Sequence, residues 1–156
     1  PGCTICMQSY RNQKTSGFFN EYNTVFMVYP IELPDGGYKF NNSDLIARYI
    51  HATNLAETDY ASQIINRLFT ESNQKGINYQ SAFISMSRSD AEKTLQSWLK
   101  DFGASTKQIE AISQSANSDA VTTIMQRVKT MVEDTIHVKG IPTLIYDGKK
   151  HNGLYQ

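Results

Sequence analysis

Cysteine is scarce in this chain. There are two in 156 residues, Cys3 and Cys6. They stand too close together to form a disulfide scaffold, because a bridge closing so short a loop adds little chain-entropy stabilisation. Charge of one sign is also missing, since fifteen Lys and Arg balance fifteen Asp and Glu. Without a basic field to hold a phosphate backbone, nucleic acid is disfavoured as the main partner. Long hydrophobic runs are absent as well. The stretch Val25-Phe26-Met27-Val28-Tyr29 is far short of the ~20 apolar residues that span a bilayer. The three histidines, His51, His137 and His151, are scattered and form no H-x3-H pair, so a zinc site built on the cysteines would lack its remaining ligands. No internal repeat and no low-complexity linker interrupts the chain. No signal peptide is visible. Residue 1 is proline rather than methionine, so the chain reads as a processed or partial protein.

What is present suits one globular domain. Hydrophobic residues make up 40%, with seventeen aromatics, enough for a substantial core. The most informative feature is Cys3-Thr4-Ile5-Cys6, which follows Pro1-Gly2 directly. This spacing can set two sulfurs at the first turn of one helix. There the unpaired N–H groups and the macrodipole favour a thiolate, the species that attacks disulfides. On its own, the motif is compatible with half a zinc site, a structural disulfide or a redox pair.

Along the chain, residues 3–15 read as a helix entered at the cysteines, with Gly17 at its end. Residues 24–33 form a nearly continuous apolar run, expected as a strand covered on both faces. Pro30 and Pro34 limit its pairing, and Pro34-Asp35-Gly36-Gly37 is a turn. The middle is helical. Ser43 is expected to cap a helix carrying Leu45, Ile46, Tyr49 and Ile50. Thr58 or Asp59 caps one carrying Ile64, Leu68 and Phe69. Ser87 to Asp90 opens a segment with Leu95, Trp98, Leu99 and Phe102, stopped by Gly103. Ser105-Thr106-Lys107-Gln108 matches a capping box. Residues 117–136 give a long helix in which Met125 and Met131 read as core filling. A β-rich run, residues 138–146, then reaches an Asp147-Gly148 hairpin turn and returns through Lys149-Lys150-His151.

This order, with Pro1-Gly2-Cys3-Thr4-Ile5-Cys6 at one end and Val138-Lys139-Gly140-Ile141-Pro142-Thr143 before a Tyr146-Asp147-Gly148-Lys149 turn at the other, resembles the thioredoxin superfamily. More closely it resembles the DsbA-like thiol:disulfide oxidoreductases. The resemblance implies an α/β class: a thioredoxin-like fold over residues 1–42 and 118–156, interrupted by an inserted helical domain at 43–117. It also implies a first strand before Cys3 and a final helix after the hairpin, both expected to lie outside this chain.

The resemblance further implies a cis Ile141-Pro142 peptide beside the sulfurs. Ile141, Pro142 and Thr143 would then bind an extended substrate. Cys3 becomes the nucleophile, and Cys6, expected to be more buried, its resolving partner. Thr4 and Ile5 tune the pair. Thr4 can offer a hydroxyl to the Cys3 sulfur and Ile5 brings no charge, so the pair is expected to be less oxidising than the family's strongest members. No cofactor or metal is implied. The implied partners are cysteine-containing protein substrates and a membrane or soluble redox partner that resets the pair, in the periplasm or another extracytoplasmic compartment. The activity the resemblance implies first is that of a disulfide-forming oxidase of the bacterial cell envelope; the same residues also serve a disulfide isomerase or reductase, and the same fold a non-catalytic peptide holdase. His137, just before the Gly-Ile-Pro strand, is a secondary candidate for approach to the site.

Overall fold

A computed structural model describes residues 1–156. Eight helices account for most of the chain: α1 (Thr4–Ser16), α2 (Phe18–Glu21), α3 (Ser43–Leu55), α4 (Tyr60–Thr70), α5 (Tyr79–Ser85), α6 (Arg88–Asp101), α7 (Thr106–Ala116) and α8 (Asp119–Thr130). A π-helical turn, Met131–Thr135, continues α8. Two strands, β1 (Thr143–Tyr146) and β2 (Lys149–Asn152), close the chain. They pair antiparallel, with Thr143 opposite Asn152 and Tyr146 opposite Lys149. The protein thus joins a helical body to one small antiparallel sheet. No helix is long and apolar enough to cross a membrane.

The core belongs to the helical body. Its 18 clustered buried residues run from Leu45 to Val121. Helix α3 is the centre, packed against α4, α6, α7 and α8. It buries Leu45, Ile46, Ala47, Tyr49, Ile50 and Ala52 almost completely, because packed helices cover it on several sides. Trp98 fills this core, edge-on to Tyr79 and Phe83 at centroid distances of 4.7 and 5.4 Å. The one deeply buried phenol, Tyr49, has polar partners for its hydroxyl on Glu92 and Ser113, each at 2.9 Å. Burial pushes its pKa up to about 12.

Local signals set most helix ends. The Ser87 hydroxyl accepts the N–H of Asp90 at 3.1 Å. Ser105 and Gln108 complete the capping box, each accepting the other's N–H, at 2.8 and 3.2 Å. Gly17 ends α1 in the left-handed region, φ 80°, at little steric cost because it has no Cβ. At α3 the cap differs from expectation. Ser43 is the first helical residue, and Asn42, left-handed at φ 63°, stands at the N-cap without a side-chain capping bond. Its amide is used elsewhere, donating to Phe83 O at 2.8 Å and Met86 O at 3.1 Å, so it ties the start of α3 to the end of α5.

The apolar run at 24–33 is not a strand. Residues 23–31 carry no regular structure, and only an isolated bridge, Glu32 to Tyr38, follows. Val25 is 85% exposed, so the run is not covered on both faces. The physical reason is the lack of a partner: no strand of this chain lies beside it, and Pro30 and Pro34 offer no N–H. Side chains hold the segment instead. The Tyr29 hydroxyl donates to Glu133, and Lys129 is paired with Glu32. Met131 also departs from expectation. It is exposed where the helix changes to its π turn, whereas Met125 packs on the core.

Candidate functional site: the cysteine pair and its cleft

Helix α1 presents the cysteines because its start is fixed from both sides. Cys3 occupies the N-cap position, and its sulfur accepts the N–H of Cys6 at 3.2 Å. The Cys3 carbonyl accepts the N–H of Met7 at 3.1 Å. One of the orphan donors of the helix start is therefore aimed at sulfur, an arrangement that favours a thiolate at Cys3. The sulfurs of Cys3 and Cys6 sit at disulfide distance, with their Cα atoms 5.2 Å apart.

Gly2 is required here. It lies at φ +83°, and a Cβ on it would meet the Phe40 ring at 2.2 Å. Its N–H donates to Gln80 O at 3.2 Å, which anchors the approach to the motif on α5. Glycine before a CxxC is visible in the sequence, but its neighbours Phe40 and Gln80 carry no local signal.

The body of α1 is then clamped. Tyr10 and Lys14 reach Asn66 of α4 at 3.3 and 2.6 Å, and Arg11 donates to Phe69 O at 2.7 Å. On its other side α1 holds the end of the chain. The Ser9 hydroxyl accepts the N–H of Tyr155 at 3.2 Å, and Asn12 donates to Tyr155 O at 2.7 Å. Phe18 packs edge-on against Tyr146 and Tyr155, with centroids 5.5 and 5.1 Å away. These contacts fix the hairpin beside the helix that carries the cysteines.

As a result, residues separated by about 135 positions line one cleft. The cleft is near 610 Å³, with 24 hydrophobic residues among its 35 lining residues. Cys3, Cys6, Ile141, Pro142 and Thr143 all line it. The Ile141-Pro142 peptide is cis. The Thr143 hydroxyl donates to Gly140 O at 2.6 Å, which closes the turn into β1. Asp147 is the one carboxylate on the lining, and it accepts the Tyr22 hydroxyl at 3.3 Å.

Other expected site residues stand elsewhere. Thr4 and Ile5 are exposed and do not line the cleft. The Thr4 hydroxyl makes no hydrogen bond to Cys3, and the Cys6 backbone N–H holds that role. The reason is geometric: Thr4 is the first helical residue and points outward while the backbone turns back toward the cap. Cys6 is half-buried, as Cys3 is, so burial does not separate the two. His137 is exposed, left-handed at φ 55° and turned to Glu133 O at 3.1 Å, away from the cleft. Nowhere do three His, Cys, Asp or Glu side chains gather as a metal site would need.

In chemical terms, the cleft offers a sulfur pair at a helix start, an apolar wall and the cis Ile141-Pro142 turn. No protein-family model matches the chain, and searches of curated proteins and of solved structures find no match either.

Proposed function

We propose that the chain is a thiol:disulfide oxidoreductase that exchanges disulfides with protein substrates through Cys3 and Cys6, in a DsbA-like thioredoxin arrangement. The observation that carries the reading is the joint placement of the helix-capping Cys3, its partner Cys6 and the cis Ile141-Pro142 peptide on one cleft. In this reading the helical segment 43–117 is an insertion, and residues 1–42 with 118–156 belong to the redox unit. The setting is an extracytoplasmic one, such as the bacterial periplasm, where disulfides persist.

The chemistry is a two-electron exchange. A substrate thiolate attacks the Cys3 sulfur, the Cys3–Cys6 bond breaks, and Cys6 leaves as a thiolate that takes up a proton. A second substrate thiolate then attacks the substrate sulfur of the mixed disulfide and expels Cys3, whose thiolate the Cys6 N–H stabilises. The substrate leaves oxidised and the pair reduced, to be reoxidised by a partner disulfide. Run in reverse, the same steps reduce or rearrange substrate disulfides.

The apolar lining of the cleft favours one further reading, a peptide holdase with no turnover. An insulin-reduction assay separates the two. The unmodified chain is expected to be active and the Cys3→Ser and Cys6→Ser variants inactive. An unmodified chain that binds peptide but reduces no insulin would support the holdase.

A further inference from the structure

The residue before the cysteine motif is held from outside, because it cannot hold itself. Gly2 sits at φ +83°, and glycine moves between backbone regions more freely than any other residue. Two groups fix it. Its N–H donates to Gln80 O at 3.2 Å. The Phe40 ring fills the space of the side chain that Gly2 lacks: its Cδ1, Cγ and Cε1 all lie nearer to that position than a real Cβ could tolerate.

Both groups are anchored in the helical body. Gln80 lies in the first turn of α5, where the Asn78 cap accepts the N–H of Ser81 at 3.0 Å. Phe83 of the same helix is fully buried in the core. Phe40 is tied to the other end of α5. Asn41 donates to Ile84 O and Met86 O, each at 3.0 Å, and Asn42 donates to Phe83 O and Met86 O. The Phe40 carbonyl accepts the N–H of Ser43, the first residue of α3, at 3.1 Å. One short helix and the turn bonded to it therefore grip Gly2 at two points. The next residue is Cys3, at φ −86° and ψ 87°, whose sulfur receives the Cys6 N–H at 3.2 Å. That bond lasts only while the Cys3 backbone keeps its cap conformation.

We propose that Phe40 is a positioning residue for Cys3: its ring, mounted on α5, holds Gly2 and so keeps the Cys3 sulfur on the Cys6 N–H, which stabilises the thiolate of the reduced pair. This role rests on the redox reading of the cysteines. It moves part of the control of Cys3 from Thr4 and Ile5, which are exposed, to the helical body. The direction follows from what each redox state needs. Hydrogen bonds to a charged group are roughly twice as strong as neutral ones, so a thiolate gains more from the Cys6 N–H than a disulfide sulfur does. Loosening Cys3 then costs the reduced form more than the oxidised form, and the disulfide becomes harder to reduce. A loss of packing that harms both forms equally leaves this balance unmoved.

The test is the equilibrium of the full chain with glutathione, in which two glutathione thiols reduce the Cys3–Cys6 disulfide and leave as one glutathione disulfide. Phe40→Ala is expected to shift this equilibrium about tenfold toward the protein disulfide, a potential about 30 mV lower. It should also move the ultraviolet thiolate titration of the reduced chain to higher pH. Phe40→Tyr keeps the ring and should return both readings to those of the unmodified chain. Phe102→Ala deletes another half-buried ring, at the end of α6 and stacked on Tyr60. It should lower the melting temperature and leave both readings unchanged. If Phe40→Ala fails to fold, Phe40→Leu takes its place, with a smaller shift in the same direction. Three results would overturn the assignment. The first is a Phe40 variant that folds and leaves both readings unchanged. The second is Phe102→Ala moving them as far as Phe40→Ala does, and the third is Phe40→Tyr behaving like Phe40→Ala. Both readings are taken whether or not the chain reduces insulin. An unmodified chain that reduces no insulin counts against the redox reading, and an active chain whose equilibrium ignores Phe40 counts against the positioning role alone.

Discussion

The helical body and the cysteine-bearing segments are built on opposite terms. From Leu45 to Val121 the chain closes a core of its own, with capped helices and paired backbone. Around Cys3 and the hairpin, burial is sparse: Phe18 and Val132 are the only buried hydrophobic residues outside that body. The backbone at 23–30 is unpaired, and aromatic contacts and single hydrogen bonds do the positioning. In the proposed reading the body is the mount and the open cleft beside it the working surface. Binding regions are drawn from the less stable parts of a structure for this reason.

The contrast is broken most severely from the body. Leu95 is fully buried, and Leu95→Ala is expected to cost roughly 2–5 kcal/mol by lost burial and cavity formation. Val25→Ala, at a residue 85% exposed, should change stability by less than about 0.5 kcal/mol. Denaturant unfolding of both variants makes the comparison, and equal losses would contradict the division.

Gly2→Ala probes the join between body and motif. It adds a Cβ against Phe40 and holds a left-handed φ, at an expected cost of about 1–3 kcal/mol. Adding Phe40→Ala should recover the steric part and leave the φ part, as a double-mutant cycle would read. Ser105→Ala removes half of the capping box on α7 and is expected to cost about 1 kcal/mol, with no effect on insulin reduction.

The smallest effect is a titration within the body. His51 is buried with Nε2 unpartnered, and desolvation lowers its pKa below the ordinary 6.5. As pH falls through 6.5 the unfolded chain takes the proton first, so stability is lost from there down to the lower folded pKa. His51→Gln should flatten that part of the stability curve between pH 7 and pH 5. An unchanged curve would contradict the assigned burial.

Much of this was legible because the signals are local. Ser87, the Ser105–Gln108 box, Gly17 and the Asp147-Gly148 turn each act within a few residues, and each stands where the sequence places it. The resemblance implies a cis Ile141-Pro142 peptide, and that peptide is cis. The run at 24–33 misled because an apolar, β-branched sequence states a preference, while a strand needs a neighbour with free hydrogen bonds. Asn42 displaced Ser43 from the α3 cap through a tertiary bond to Phe83 and Met86, which no spacing reveals. Gln80 and Phe40 join the site only through the path of the chain, and Thr4 leaves it because its place on the helix turns it outward.

The most direct test of the cysteine pair as a redox centre is its reduction potential, titrated against glutathione or dithiothreitol with Cys3→Ser as the blank. With an exposed Thr4, an uncharged Ile5 and one backbone N–H on the Cys3 sulfur, a value between thioredoxin's, about −270 mV, and that of the strongest oxidants, about −120 mV, is expected. A value below about −300 mV would mark an inert structural disulfide and contradict the redox reading. A value at about −120 mV would contradict the tempered oxidising strength assigned to Thr4 and Ile5.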